Sequence, residues 1–280
     1  MRTIPYNSVA NAVEEIVIKT NYNLPCDVLE AIKHARDSES SRLAVSILDN
    51  IIENAGIARN ECLPICQDTG IAVFFVDIGG EVFVDGGGLE AAINEGTRKG
   101  YKNGALRMSI VEDPLRRKNT GDNTPAIIHT NIVRGDKLVL SFCPKGGGCE
   151  NMSTLAMLSP GEGRNGIIDF VTESIRTAGG KPCPPLVVGI GMGGNFEYSA
   201  VLSKRALLRT IGERHHDPFL AELEKELFEK INALGIGPMG LGGDTTVLEV
   251  FVESYPCHIA SMPLSVNVQC HAARHEKVEL

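Results

Sequence analysis

The chain has 280 residues, of which 43% are hydrophobic and 22% charged, and a formal net charge of −8. That length can bury a sizeable core, in one large domain or two modest ones. The acidic balance argues against a nucleic-acid partner, because the basic clusters Arg116-Arg117-Lys118 and Lys204-Arg205 are short enough to be solvated faces.

The first sixty residues carry helical periodicity. Val9, Val13, Ile16 and Val17 recur at helical spacing after Asn7 and Ser8, which can cap, and Leu43, Ile47, Ile51 and Ile52 form a second stripe that Gly56 is expected to stop. The period then changes. Ile71 to Ile78 and Glu81 to Val84 flank Gly79-Gly80 as in a hairpin. Leu89 to Tyr101 reads as a helix after three glycines, and Ala126 to Val133 and Lys137 to Phe142 read as strands around Arg134-Gly135-Asp136. Gly166 to Ala178 and Tyr198 to Arg209 have helical character. Asp217-Pro218 is an N-cap followed by proline at the first helical position, opening a helix through Leu220, Leu223, Leu227 and Ile231 that stops at Gly235. Thr246 to Val252 is a β-branched strand. The expected class is α+β: one mixed sheet-and-helix catalytic domain over 1–280, with a helical lobe at 1–60 and the chemistry in 61–280.

No window approaches the roughly 18 unbroken apolar residues of a membrane span. The N-terminal Met1-Arg-Thr-Ile-Pro-Tyr lacks an apolar leader, so a cytoplasmic location is expected. The eight cysteines then read as reduced thiols available for metal rather than as a disulfide framework.

Gly189-Ile-Gly191-Met-Gly193-Gly194 matches the dinucleotide fingerprint after an apolar run, but Gly235 to Gly240 matches it equally well and no clean βαβ unit surrounds either. Tight-turn glycines are the plainer reading, with a nucleotide-binding oxidoreductase as the rival. Lys145-Gly146-Gly147-Gly148 could form an anion-binding nest, although it lacks the ending of a P-loop. Three cysteines stand out: Cys66, Cys183 and Cys270 lie in polar, Gly/Pro-rich stretches rather than in apolar runs. No C-x2-C pair exists, so spacing alone leaves inert thiols open. The flanks Gln67, Asp68 and Thr69, with His258, His271 and Arg274 near the third cysteine, supply hydrogen-bonding, proton-transfer and anion-binding types.

Taken in order, Cys66-Gln-Asp-Thr-Gly, Lys145-Gly-Gly-Gly, Ala178-Gly-Gly-Lys-Pro-Cys183-Pro-Pro, Gly240-Leu-Gly-Gly-Asp and Cys270 resemble the class I (iron–sulfur) fumarate hydratase and L-tartrate dehydratase family, in its α-subunit form. The resemblance runs from about residue 7 to the C-terminus. It implies that Cys66, Cys183 and Cys270 ligate a [4Fe–4S] cluster with one iron left open. It also implies that Gln67 and Asp68 contact substrate, that Arg107 clamps a carboxylate, that the Gly148 backbone touches substrate, and that His258 is an active-site histidine. Cys149, where many relatives have serine, and Cys257 beside His258 are decoys, and Cys62 is set aside with them.

The implied reaction is reversible hydration of fumarate to (S)-malate, with tartrate dehydration as the alternative of the same chemistry. A non-catalytic iron–sulfur scaffold or sensor is a further rival. Dehydrating a 2-hydroxy acid needs a Lewis acid on the leaving hydroxyl, a base for the neighbouring proton and cationic clamps. The expected catalytic residues here are Asp68 and His258. The main base and further carboxylate-binding groups are implied to lie on a separate β subunit, in an αβ hetero-oligomer with α–α or higher dimerisation.

Overall fold

The structure is a computed structural model describing all 280 residues, and its helices and mixed sheets make it α+β as expected. The elements run β1 (Arg2–Ile4), α1 (Tyr6–Tyr22), α2 (Cys26–Ser38), α3 (Arg42–Glu61), β2 (Ile71–Gly79), β3 (Val82–Val84) and α4 (Leu89–Asn103). There follow β4 (Ile127–Val133), β5 (Leu138–Lys145), α5 (Gly147–Glu150), β6 (Thr154–Leu158), α6 (Gly163–Ala178) and β7 (Leu186–Gly194). The chain ends with α7 (Phe196–Ala206), α8 (Pro218–Asn232), β8 (Val247–Cys257), β9 (Met262–Gln269) and β10 (Glu276–Glu279). No helix is long and apolar enough to cross a membrane.

Two compact units share this chain. Unit 1 is Met1–Pro25, Ala55–Gly147 and Arg274–Leu280; unit 2 is Cys26–Asn54 and Gly148–Ala273. The three helices of the first sixty residues are accordingly divided, α1 in unit 1, α2 in unit 2 and α3 between them.

Unit 1 is built on the sheet β10-β5-β2-β4. β2 is buried from Ala72 to Val76 because β4 pairs with it in parallel on one side and β5 antiparallel on the other. The expected Gly79-Gly80 hairpin therefore does not form: both edges of β2 are taken, and β3 pairs instead with β1, in parallel. Gly79 is needed for a different reason. A Cβ there would lie 2.2 Å from the Gly135 carbonyl oxygen, and the Gly79 and Gly80 N–H groups donate to the carbonyls of Lys137, in the β4–β5 connection, and Val133, the last residue of β4. On the sheet, α1 and α4 pack closely, since Gly96 and Gly100 on α4 leave no room for a Cβ beside the Ala10 carbonyl and Val17. Beneath them the Phe74 and Phe142 rings pack with centroids 5.0 Å apart and planes tilted by 33°.

Two helix ends differ from expectation. α1 starts at Tyr6 with Pro5 at its N-cap rather than after Asn7 or Ser8. α3 runs through Gly56 to Glu61, because its apolar stripe continues through buried Ala55 and Ala58 and tertiary burial outweighs one glycine.

Unit 2 is built on the sheet β6-β9-β7-β8. Residues alternate across a strand, and the central β7 uses this fully. Leu186, Val188 and Ile190 join the core with Val171 and Ile175 of α6 and Leu223 and Leu227 of α8. Gly189 and Gly191 face the other way, against α7, where added Cβ atoms would come within 2.1 Å of the Ser203 carbonyl oxygen and 2.0 Å of that of Ser199. The fingerprint-like glycines are thus the interior of a strand on which a helix backbone rests, not a phosphate loop. α8 starts as expected, with the Asp217 side chain accepting from the Phe219 N–H at 2.9 Å and Pro218 next.

A Gly191→Ala chain is expected to lose roughly 3 kcal/mol or more in urea unfolding, because α7 cannot withdraw without opening the core. A cofactor-binding glycine would instead leave the stability of the ligand-free chain nearly unchanged.

Candidate active site

Within unit 1 the turn from Cys66 to Gly70 is fixed almost atom by atom. Cys66 Sγ accepts from the Asp68 N–H at 3.4 Å. The Asp68 carboxylate accepts from two backbone donors, Oδ1 from Gly70 N–H at 3.0 Å and Oδ2 from Gly147 N–H at 2.8 Å. Gly70 has φ +68°, and a Cβ there would lie 2.5 Å from the Lys145 carbonyl, so only glycine lets the turn lie on the end of β5. Thr69 reaches sideways: its hydroxyl accepts from the Arg107 N–H at 3.0 Å and donates to the Arg107 carbonyl at 3.2 Å. The structure therefore brings Cys66, Gln67, Asp68 and Arg107 into one loop cluster. The Gln67 and Arg107 side chains face solvent, and Cys66 and Asp68 are half-buried.

Underneath, the buried Tyr101 hydroxyl donates to the Thr69 carbonyl at 2.7 Å and sits 3.0 Å from that of Gly70. Burial pushes its pKa far above the ordinary tyrosine value, so it serves as a neutral donor. Sequence reasoning assigned Tyr101 only to a helix end; no signal short of the fold identifies it as the floor of this turn.

Unit 2 places Cys183 and Cys270 together through one residue. The His271 N–H donates to the Cys183 carbonyl at 3.3 Å, and its Nδ1 lies 3.1 Å from the same oxygen. Cys183 is held at φ 57°, a left-handed conformation rare for a residue with a Cβ, and its N–H donates to the Gly180 carbonyl. The loop below is braced by the second glycine motif. Gly240 lies so close to Gly180 that a Cβ would approach the Gly180 Cα to 2.5 Å, and the Met239 N–H donates to the Pro184 carbonyl at 2.7 Å. This explains why two distant glycine runs accompany Cys183 in the sequence.

Gly148 is exposed at the start of unit 2. His258 lies on the exposed connection between β8 and β9, where its ring accepts from the Ala260 N–H at 3.1 Å and its carbonyl from Ser261. It lines an open hollow of about 540 Å³ with Tyr198, Tyr255 and Cys257, and its hydrogen bonds are local rather than to either unit 2 cysteine.

The remaining thiols fall into place. Cys149 is buried in the unit 2 core with its sulfur 3.5 Å from the Pro182 carbonyl. Cys62 is exposed just beyond α3, and the Cys257 thiol turns back on the Ser261 carbonyl. None of the eight cysteines is in a disulfide. No three His, Cys, Asp or Glu side chains converge to hold a single metal ion. A cubane cluster makes a different demand, because each thiolate bonds its own iron and the sulfurs need not meet at a point. The donor types fit that demand: Cys66, Cys183 and Cys270 are half-exposed thiols outside any disulfide, the first two on turns that glycines brace. A further sign of fit lies in unit 1, where the buried Arg274 guanidinium has Nε and Nη1 without any acceptor, as suits an anionic group at the Cys66 turn.

The chain matches known proteins along nearly its whole length. The description fumarate hydratase (Fumerase) matches residues 10–279. A Methanocaldococcus jannaschii protein provisionally named L(+)-tartrate dehydratase subunit alpha is 46% identical over 280 residues, covering 95% of both chains. Proteins named L(+)-tartrate dehydratase subunit alpha from Escherichia coli and Shigella sonnei are each 35% identical over 271 residues, covering 96% of this chain and 89% of theirs. With its braced cysteine turns and a family match along nearly its whole length, the chain belongs to the fumarate hydratase (Fumerase) family.

Proposed function

We propose that this chain is the α subunit of a [4Fe–4S]-dependent hydro-lyase, active with a separate β subunit on a four-carbon dicarboxylate. The observation that carries the reading is the Cys66–Gly70 turn, in which a thiol, a carboxylate and the Arg107 loop are locked together by backbone hydrogen bonds. The names of the relatives, each a subunit alpha, support the partner. Eight cysteines outside any disulfide support a reducing, cytoplasmic setting.

In this reading Cys66, Cys183 and Cys270 hold the cluster, which when bound supplies a Lewis-acidic iron for the hydroxyl leaving group. Arg107, exposed and anchored only through its backbone, is free to take a substrate carboxylate in a two-point grip. Asp68 keeps its carboxylate in place through the Gly70 and Gly147 N–H groups and orients substrate with Gln67 beside it. The Gly148 N–H, on an exposed stretch without a side chain, is a donor that a carboxylate can approach closely. His258 donates a hydrogen bond to substrate from its exposed loop. The proton on the carbon next to the hydroxyl leaves to a base on the β subunit.

Two substrates fit this chemistry, fumarate with (S)-malate and L(+)-tartrate. The relatives' names favour tartrate, the family's own description fumarate, and the 46% identical relative weights the choice toward tartrate. Assaying the co-expressed, anaerobically purified αβ pair on both substrates decides between them. Turnover of either by a brown protein carrying about four irons per αβ unit is expected. A colourless protein that binds NAD and holds no iron overturns the reading.

Replacing Cys66, Cys183 or Cys270 with Ser is expected to abolish the cluster absorbance, while Cys149→Ser retains it. Iron content and visible spectra read both outcomes. Arg107→Ala is expected to lower kcat/KM roughly 10- to 100-fold, the loss of a charge-assisted hydrogen bond, with the cluster spectrum unchanged. The α chain alone is expected to show no turnover in the same assay, and full activity without a partner would place the base on this chain.

A further inference from the structure

Arg274 opens the last segment of unit 1 and is 3% exposed. Its Nη2 donates to the Asp68 carbonyl at 3.2 Å, while Nε and Nη1 are buried without an acceptor. The polar groups around it already have other partners. The Asp68 carboxylate is occupied by the Gly70 and Gly147 N–H groups, and the buried Tyr101 hydroxyl points at the Thr69 and Gly70 carbonyls. A guanidinium carries five N–H donors and cannot shed its charge. Burying it with most of them unmatched opposes folding, and one carbonyl contact does not offset that loss.

A simpler role for Arg274 is that of a strut for the Asp68 carbonyl. A strut, however, needs neither a charge nor two idle nitrogens; an amide or a water would satisfy one carbonyl. What is distinctive is the connection through Asp68. Its N–H rests on the Cys66 sulfur and its carbonyl on Arg274, so the cation and the thiol are attached to the two ends of one residue.

We propose that Arg274 is a positioning residue for the Cys66–Asp68 turn whose cation is matched only when an anionic, thiolate-bound iron–sulfur group is present. This rests on the cluster reading above. A cubane cluster held by three thiolates carries net negative charge, and a buried arginine with idle donors beside one of those thiolate turns compensates it. The chain is then less stable than it could be when empty, and the deficit is made good on loading.

The test compares the wild-type chain with Arg274→Met and Arg274→Lys, using two readouts that do not depend on turnover. The first is thermal melting of the full-length chain without iron. Arg274→Met is expected to melt at or above the wild-type temperature, because an unmatched buried charge has been removed. The second is loss of visible absorbance from the reconstituted protein when an iron chelator is added. Arg274→Met is expected to lose its cluster at least ten-fold faster than wild type, and Arg274→Lys, which keeps the charge, less than three-fold faster.

If iron-free Arg274→Met melts more than about 4 °C below wild type, Arg274 is a strut and the proposal falls. It falls equally if Arg274→Met holds its cluster as long as wild type, or if Arg274→Lys loses it as fast as Arg274→Met. A wild-type αβ preparation that takes up no iron overturns the cluster reading, and this inference with it. Loading of wild type together with either failure above overturns this inference alone.

Discussion

The Asp68 carboxylate, held by the N–H groups of Gly70 and Gly147, is the constraint on which the unit 1 site depends. One donor belongs to the approach to β2 and the other lies just past the end of β5, so a single side chain ties together two neighbouring strand ends. The register of those strands, with Ile71 opposite Lys145, sets the distance between the donors. Gly70 then has to lie flat on the Lys145 peptide, because the turn Asp68 closes leaves no space for a Cβ. Cys66, Thr69 and Arg107 follow from this closure, the first through the Asp68 N–H and the last through the Thr69 hydroxyl.

Unit 2 solves a similar problem with different means. Cys183 is kept in a left-handed conformation by the Gly180 carbonyl on one side and His271 on the other. The Gly240 backbone supports the loop from beneath at a separation that excludes any side chain. Reactive groups on loops are useful only when the loops are rigid, and here rigidity comes from backbone contacts rather than from large side chains. The abundant glycine of this sequence is thus consumed mostly by close packing, as in β7 under α7, and not by nucleotide phosphates.

Much of the architecture was legible from periodicity. The helices from Leu89 and from Pro218 and the strands from Ile71 and Ile127 lie near where apolar spacing and capping residues put them. The failures share a cause. The local pattern at Gly79-Gly80 favours a hairpin, but strand partners are chosen by competition, and β4 and β5 outcompete β3 for the edges of β2. Gly56 reads as a stop, yet the helix continues because burial of Ala55 and Ala58 on either side of it contributes more than the glycine costs. The glycine fingerprint reads as a loop, whereas the burial of Val188 and Ile190 makes it a strand.

The sequence by itself determined the chemical inventory: three cysteines in polar turns, the acid and amide beside Cys66, the glycine runs in order, and the family to which that order belongs. Those are properties of residue type and spacing, which a chain carries before it folds. Only the tertiary structure decided which groups touch. Thr69 grips the Arg107 backbone across 38 residues, His271 joins Cys183 to Cys270 across 88, and Arg274 reaches Asp68 across 206. Such pairings depend on strand register and on where burial leaves a donor without water. No local pattern encodes either, because both are settled by all the packed elements at once.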